Sequence, residues 1–245
     1  DLIHAHYGLS GLLATMQLYV PVVITFHGSD VNMKKNYIFS RIASKLSTTN
    51  IFVHQSLPQK LKIYRNPINI IPCGFNNNRF FPLPKDKARE ALKWEKNKHY
   101  IVFASSFDNK IKNVQLAKSA ILNLDNCKLI ELKGYEKEQI NLILNASDLL
   151  LVTSLSETGP IIVKEALACN CPIVSTNVGD VQRLIKNVNN CYISSYNPKD
   201  ITKRINQVFR NNKRTNGQQK IKNFYLENIA YKIIDVYKKT LNDCI

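Results

Sequence analysis

Two carboxylates separated by seven residues, Glu157 and Glu165, mark the segment SETGPIIVKEALA of a chain with 18 acidic residues against 34 lysines and arginines. Glu157 precedes Thr158-Gly159-Pro160, and Glu165 has Ile161, Ile162, Ala168 and Cys169 one turn away. A carboxylate buried among such neighbours needs hydrogen-bond donors, because burying it unpaired is expensive. Sugar hydroxyls would serve. On spacing alone, a lysine partner or a reach to solvent serves equally well. Proline suits a first helical turn, where its missing N–H would be unpaired anyway. The spacing therefore predicts a helix from about Pro160, capped by Gly159 or Thr158. A helix starting at Ser154, with Ser154 and Glu157 as a capping box, would bury Pro160 inside it at about 3 kcal/mol. The box returns only about 1 kcal/mol. Glu157 is thus expected on the loop, and Glu165 roughly 7.5 Å along the helix. Free N–H groups around Gly159, Pro160 and Ile161, with the helix dipole, form an anion site. An anion cradle beside hydroxyl-binding carboxylates fits a nucleotide sugar.

Alternating strands and helices must position these groups. LIHAHYG, VPVVITF, TTNIFVH and INIIPCG read as one set of strands. HYIVFASS, CKLIELKG, DLLLVTS, CPIVSTN and NCYIS read as a second. GLLATMQLY, NYIFSRIASKL, VQLAKSAILNL, KEQINLILNA, PIIVKEALA, DVQRLIKN and NPKDITKRINQVFR read as helices between them. Apolar strands alternating with helices indicate parallel sheets covered on both faces. FNNNRFFPLPKDKAREALKW, with its asparagines and paired prolines, reads as a linker. The domains are placed at 1–82, 83–223 and 224–245. The last is an amphipathic helix, with Tyr225, Ile229, Ile233, Val236 and Tyr237 at helical spacing, that crosses back to the first domain. The chain opens at Asp1 inside a strand, and its first strand set is short, so the first domain is expected to be incomplete.

The net charge of +16 asks for an anionic partner or reflects a solvated lysine-rich surface. The lysines are scattered and no aromatic-basic motif accompanies them, so nucleic acid is not expected as a partner. Six cysteines are spread without a paired Cys-x-x-Cys, so free thiols in a reducing cytoplasm are expected. No apolar run approaches the roughly 20 residues of a membrane span. His4 and His6 share a strand face without carboxylates or cysteines beside them, so no metal site is expected. His27 closes a strand in TFHGSD. A polar loop histidine is the bland reading; its place at a strand's carboxyl end favours a functional one.

Glu157 and Glu165 in SETGPIIVKEALACNCPIVST resemble the signature of the retaining glycosyltransferases of family 4, in the GT-B class. HAHYGLSG, VPVVITFHGSD, IPCGFNNNRFFP, FASSFDNKIKN, ASDLLLVTSLSE and VGDVQRLI resemble further family segments in order. The resemblance implies two Rossmann-like domains with parallel sheets facing across a cleft. It implies that Glu165 binds the ribose hydroxyls and Glu157 the donor sugar. By the same resemblance Gly159, Pro160 and Ile161 contact sugar and diphosphate, and Lys112, with Lys110 second, neutralises the diphosphate. His27 would face the donor sugar from the first domain. The family's Gly-Arg is Ser105-Ser106 here, so Ser106 keeps one hydrogen bond and loses a charge. Asn170 replaces a helix-ending glycine as the next-best left-handed cap.

The implied reaction moves a hexose from a UDP- or GDP-sugar to an acceptor hydroxyl with retention. No metal or other cofactor is expected. The acceptor would be a saccharide or lipid-linked, in surface polysaccharide or glycoconjugate synthesis, and the protein cytoplasmic or peripheral on an anionic inner membrane face. A GT-B nucleotide-sugar epimerase and a degenerate nucleotide-sugar-binding protein are the alternatives.

Overall fold

The structure, a computed structural model, describes residues 1–63 and 67–243 of the 245-residue chain. In chain order the elements are β1 (Ile3–His6), α1 (Gly8–Ala14), β2 (Val22–Phe26), α2 (Ser29–Asn32), α3 (Lys34–Leu46), β3 (Thr49–Phe52), α4 (Ser56–Leu61) and β4 (Ile68–Ile70). They continue with α5 (Lys85–Ala91), β5 (His99–Phe103), α6 (Val114–Ile121), β6 (Cys127–Glu131), α7 (Lys137–Ala146), β7 (Leu149–Val152), α8 (Ile161–Ala168) and β8 (Ile173–Thr176). α9 (Val181–Ile185), β9 (Cys191–Ser194), α10 (Pro198–Asn211), α11 (Gly217–Lys220) and α12 (Leu226–Asn242) complete the described chain. Two compact units result: Asp1–Gly74 with Leu226–Ile245, and Phe75–Tyr225.

The first unit is built on a parallel sheet in the order β1-β2-β3-β4. Strand alternation sends Val22, Ile24 and Phe26 to one face, against Val31, Ala43, Leu57 and Leu61. Phe26 and Phe52 stack there at 5.0 Å. Val23, Ile51 and Ile71 point to the other face, which Ile229 and Val236 of α12 cover. Ile233 and Tyr237 pack beside them, whereas Tyr225 lies outside the helix and bridges Phe75 in the second unit. α1 ends at Ala14, so Met16, Leu18 and Tyr19, expected in that helix, lie beyond it and exposed. Gly8 allows α1 to meet α3, because a Cβ there would come within 1.9 Å of Ser40 Oγ.

Beneath α12, His4 bonds Tyr237 Oη at 2.5 Å and Thr25 Oγ1 at 2.8 Å. Burial, then His6, then His27, lower His4 from 6.5 to about 4. The unfolded chain therefore binds a proton here that the folded chain rejects. Stability from this site is complete above 6.5 and is lost as pH falls from 6.5 towards 4. In His4→Gln that part of the pH dependence should vanish, as thermal melts across the window would record.

The second unit carries a parallel sheet in the order β6-β5-β7-β8-β9. Val102, Leu150, Val152 and Ile173 face α7 and α8 through Ile143, Leu144, Val163 and Leu167. Ile101, Phe103, Leu149, Leu151 and Val174 face α6 and α10 through Leu116, Ala117, Ile201 and Ile205. The segment read as a linker is part of this unit. Phe75 and Phe80 enter its core. Asn141 and Asn145 side-chain oxygens accept from the backbone N–H of Phe81 and Leu83. α5 follows, and its buried Arg89 reaches Asp148 at 2.9 Å. The unit boundary thus falls at Gly74 rather than at 82, because aromatic and asparagine anchors override the loop-like composition.

Candidate functional site

In the second unit the site is assembled at the carboxyl ends of β5 and β7. The loop after β7 leads into α8, whose cap is Pro160 at φ −66°, ψ 117°; the helix starts at Ile161, one position later than the proline pattern suggests. No helix starts at Ser154. Its hydroxyl donates instead to Glu157 Oε1 at 2.8 Å. Lys112 Nζ pairs with the same carboxylate oxygen. Lys112 ends a 3-10 turn, Lys110–Lys112, and Asn113 follows in the left-handed region at φ 55°. Thr153 Oγ1 donates to the carbonyls of Lys112 and Asn113 at 2.9 and 3.0 Å. Leu155 N–H donates to Ile111 O at 2.8 Å. Two loops from two strands are thereby stitched together, with Lys112 and Glu157 at the seam. Lys110 is exposed.

Glu165 is the fifth residue of α8 and only 3% exposed. Its Oε1 accepts from Lys137 Nζ, at the start of α7, at 2.8 Å. Of the partners that spacing left open, the structure supplies a lysine. The partner stands on another helix, α7. Lys164 itself is fully buried, with Nζ 4.9 Å from the Phe224 ring centre.

Of the other expected residues, Ile161 is exposed and Gly159 faces the carboxylate of Asp180. Among the described residues Ser106 Oγ bonds neither Lys112 nor Glu157. Its hydroxyl donates to Asp108 Oδ1 at 2.6 Å, and Lys133 holds the other oxygen at 2.6 Å. Hydrogen bonds from Lys133 and Ser106 keep Asp108 below the usual carboxylate range. Asn170 is left-handed at φ 51°, as a C-terminal cap requires.

Three supporting groups escaped the sequence reading. Lys137 is too far along the chain from Glu165 to be paired by spacing. Gly179, at φ 55°, brings its α-carbon so close that a Cβ would lie 2.8 Å from Thr158 O. Asp180 is buried, its Oδ1 has no hydrogen-bond partner among the described residues, and its Oδ2 meets Arg183 at 3.3 Å. The Gly-Asp pair after a strand is the signal that could have found the last two.

His27 belongs to the first unit, just after β2. Its Nε2 lies 2.9 Å from His6 Nδ1, and its Nδ1 lies 3.8 Å from Cys73 Sγ. Burial and then His6 lower its pKa. Among the described residues no group of three or more His, Cys, Asp or Glu could hold a metal ion. Cys73, Cys127, Cys169, Cys171 and Cys191 are free, and Cys244 lies outside the described residues. Burial pushes the Cys169 and Cys171 thiols well up, so neither is a ready nucleophile. No helix among the described residues is long and apolar enough to cross a membrane.

The family Glycosyl transferases group 1 matches residues 115–224. An uncharacterized glycosyltransferase of Methanocaldococcus jannaschii is 27% identical over 280 residues, covering 98% of this chain and 75% of the relative. A Bacillus subtilis glycosyltransferase named for teichuronic acid biosynthesis, TuaC, is 26% identical over 213 residues. That match covers 75% of this chain, which spans only 55% of the relative's length. Among solved structures, Anabaena HepE in complex with UDP-glucose superposes with a TM-score of 0.79 at 18% identity, over 98% of this chain and 79% of that one. The α/β fold with two parallel sheets is that of GT-B glycosyltransferase structures.

Proposed function

We propose, from the premise that residues 115–224 carry a glycosyl transferases group 1 domain, that the protein transfers a hexose from a UDP- or GDP-sugar to an acceptor hydroxyl with retention, as a family 4 enzyme. The observation that carries this reading is the pairing of Lys112 with Glu157 at the seam of the β5 and β7 loops, eight residues ahead of buried Glu165. A cation and two carboxylates there match a donor that is anionic at its diphosphate and rich in hydroxyls. The UDP-glucose held by HepE supports the same donor class.

In this reading Lys112 leaves Glu157 for the diphosphate, and the freed carboxylate accepts hydroxyls of the donor sugar. Glu165 accepts from the ribose hydroxyls while Lys137 holds its other side. Backbone N–H groups around Gly159 and Ile161 and the α8 dipole face the diphosphate. The bond between the anomeric carbon and the diphosphate oxygen breaks, and the acceptor oxygen bonds that carbon on the same face. The acceptor's proton passes to the departing phosphate oxygen. Positioning and charge stabilisation are then the protein's share, without a metal. The acceptor is a saccharide or lipid-linked, for surface polysaccharide or glycoconjugate synthesis, in the cytoplasm or at the inner membrane face. Contact with an anionic membrane is supported by seven lysines and arginines against two acids in residues 1–74, beside exposed Leu13, Met16, Leu18 and Tyr19.

Thermal shift with UDP-, GDP- and ADP-sugars identifies the donor. Glu165→Ala should weaken donor binding by about 1.5–3 kcal/mol, the worth of hydrogen bonds to a charged group. The variant should still fold, because Lys137 is half exposed and can turn to water. Undiminished binding by Glu165→Ala would overturn the ribose assignment. Product analysis separates transfer from epimerisation: free nucleoside diphosphate and a new glycoside, against an isomerised nucleotide sugar. Donor binding with no transfer to any acceptor marks a binding protein.

A further inference from the structure

The junction of β1 and α1 in the first unit is shaped around one imidazole. His6 Nδ1 and His27 Nε2 face each other at 2.9 Å. Two imidazole nitrogens at that distance require one N–H and one lone pair, so the tautomer of one ring dictates that of the other. On the next residue, the Tyr7 ring lies 4.6 Å from the His27 ring. Tyr7 takes φ 67° and ψ 153°, a conformation that a residue with a Cβ rarely adopts. Such strain persists where the surroundings fix it, and it gathers at working sites.

The surroundings here include Asp30, which is 3% exposed. Its Oδ1 accepts from the N–H of His27 at 3.1 Å and of Gly28 at 2.8 Å. Its Oδ2 accepts from Gly8 N–H at 3.2 Å. One buried carboxylate thus ties the turn that carries His6 and Tyr7 to the turn that carries His27. Cys73 Sγ stands at the remaining ring nitrogen, 3.8 Å away. His4 completes the row, its ring 4.5 Å from that of His6.

We infer that His6 is a positioning residue for His27: through the Nδ1–Nε2 hydrogen bond it sets which nitrogen of His27 carries the proton and where the ring points. Asp30 and Tyr7 hold the two turns in the register this bond needs. The inference rests on the reading that His27 faces the donor sugar, but the hydrogen bond can be tested without any transfer.

The test compares the parent with His6→Phe, which keeps a ring of similar size without a nitrogen, and His6→Gln, which restores a hydrogen-bonding group. Nitrogen-15 NMR of the His27 ring reports its tautomer in the free protein. The parent should show one tautomer, His6→Phe a mixture, and His6→Gln one tautomer again. In transfer assays kcat of His6→Phe should fall roughly tenfold to a hundredfold, as when other groups that orient a working imidazole are lost, with the donor KM unchanged and much of kcat regained in His6→Gln. Thermal melts confirm that each variant is folded. An unchanged His27 tautomer in His6→Phe overturns the inference, and so does an altered tautomer with an unaltered kcat. If no donor and acceptor give transfer in the parent, the transferase reading fails, while the NMR comparison still decides whether His6 sets His27.

Discussion

Lys112→Ala is expected to lower transfer by roughly 10²–10³ in kcat, the usual loss when one preorganised group facing developing charge is removed. Lys112 stands on a fixed seat. Its 3-10 turn is closed by Asn113, and its carbonyl is held by Thr153 Oγ1 at 2.9 Å. Once Lys112 has left Glu157 for the donor, its charge needs no further rearrangement as the diphosphate departs. The same substitution strands Glu157, whose side chain is 14% exposed and which among the described residues would keep the Ser154 hydroxyl alone. Some stability should go with it, and Lys112→Ala with Glu157→Gln should restore that stability by removing the orphaned charge. It should not restore the rate. Initial rates and thermal melts of the three proteins separate the two effects. A parental rate in Lys112→Ala would remove the lysine from the mechanism.

Asp148→Ala is expected to destabilise the protein by about 3–5 kcal/mol, the range for breaking a buried ion pair from one side. Asp148 lies just ahead of β7 and accepts from Lys85 at 2.5 Å, Arg89 at 2.9 Å and Tyr100 N–H at 2.7 Å. Without it Arg89, whose side chain is 6% exposed, keeps its carbonyl partners Ala146 and Lys96 but loses its counter-charge. Arg89→Met with Asp148→Ala should recover much of the loss, since neither charge is then buried alone. Urea unfolding of the variants measures this. Burial pushes the Asp148 carboxyl up, yet Lys85, the Tyr100 N–H and Arg89 together hold it below its ordinary 3.8. Its contribution is therefore complete above 3.8 and is lost as pH falls through the lower folded value. The acid limb of the stability curve should flatten in Asp148→Ala.

The nine strands among the described residues were legible because each is a short apolar run between turn residues, and parallel order followed from the helices between them. The proline at 160 separated Glu157 from Glu165 because its backbone limits are local. What spacing could not supply was partnership over distance. Lys137 reaches Glu165 from a different helix, and Lys112 reaches Glu157 from a different loop. The linker reading failed for a related reason. Asn and Pro composition suggested a linker, while Phe75, Phe80 and Arg89 in the same stretch are anchors whose sockets lie far along the chain. α2, α4, α5 and α11 were passed over because they are short and carry little apolar periodicity.

The first unit is made from both ends of the described chain, with Phe75–Tyr225 inserted between them. During synthesis its four strands emerge early, but the face of Val23, Ile51 and Ile71 has no cover until α12 has been made. The intervening unit, whose core is drawn from its own residues, can close first. Within the described chain, strands made before Phe75–Tyr225 are covered only by a helix made after it, so through that interval an apolar sheet face waits on a nascent chain for α12.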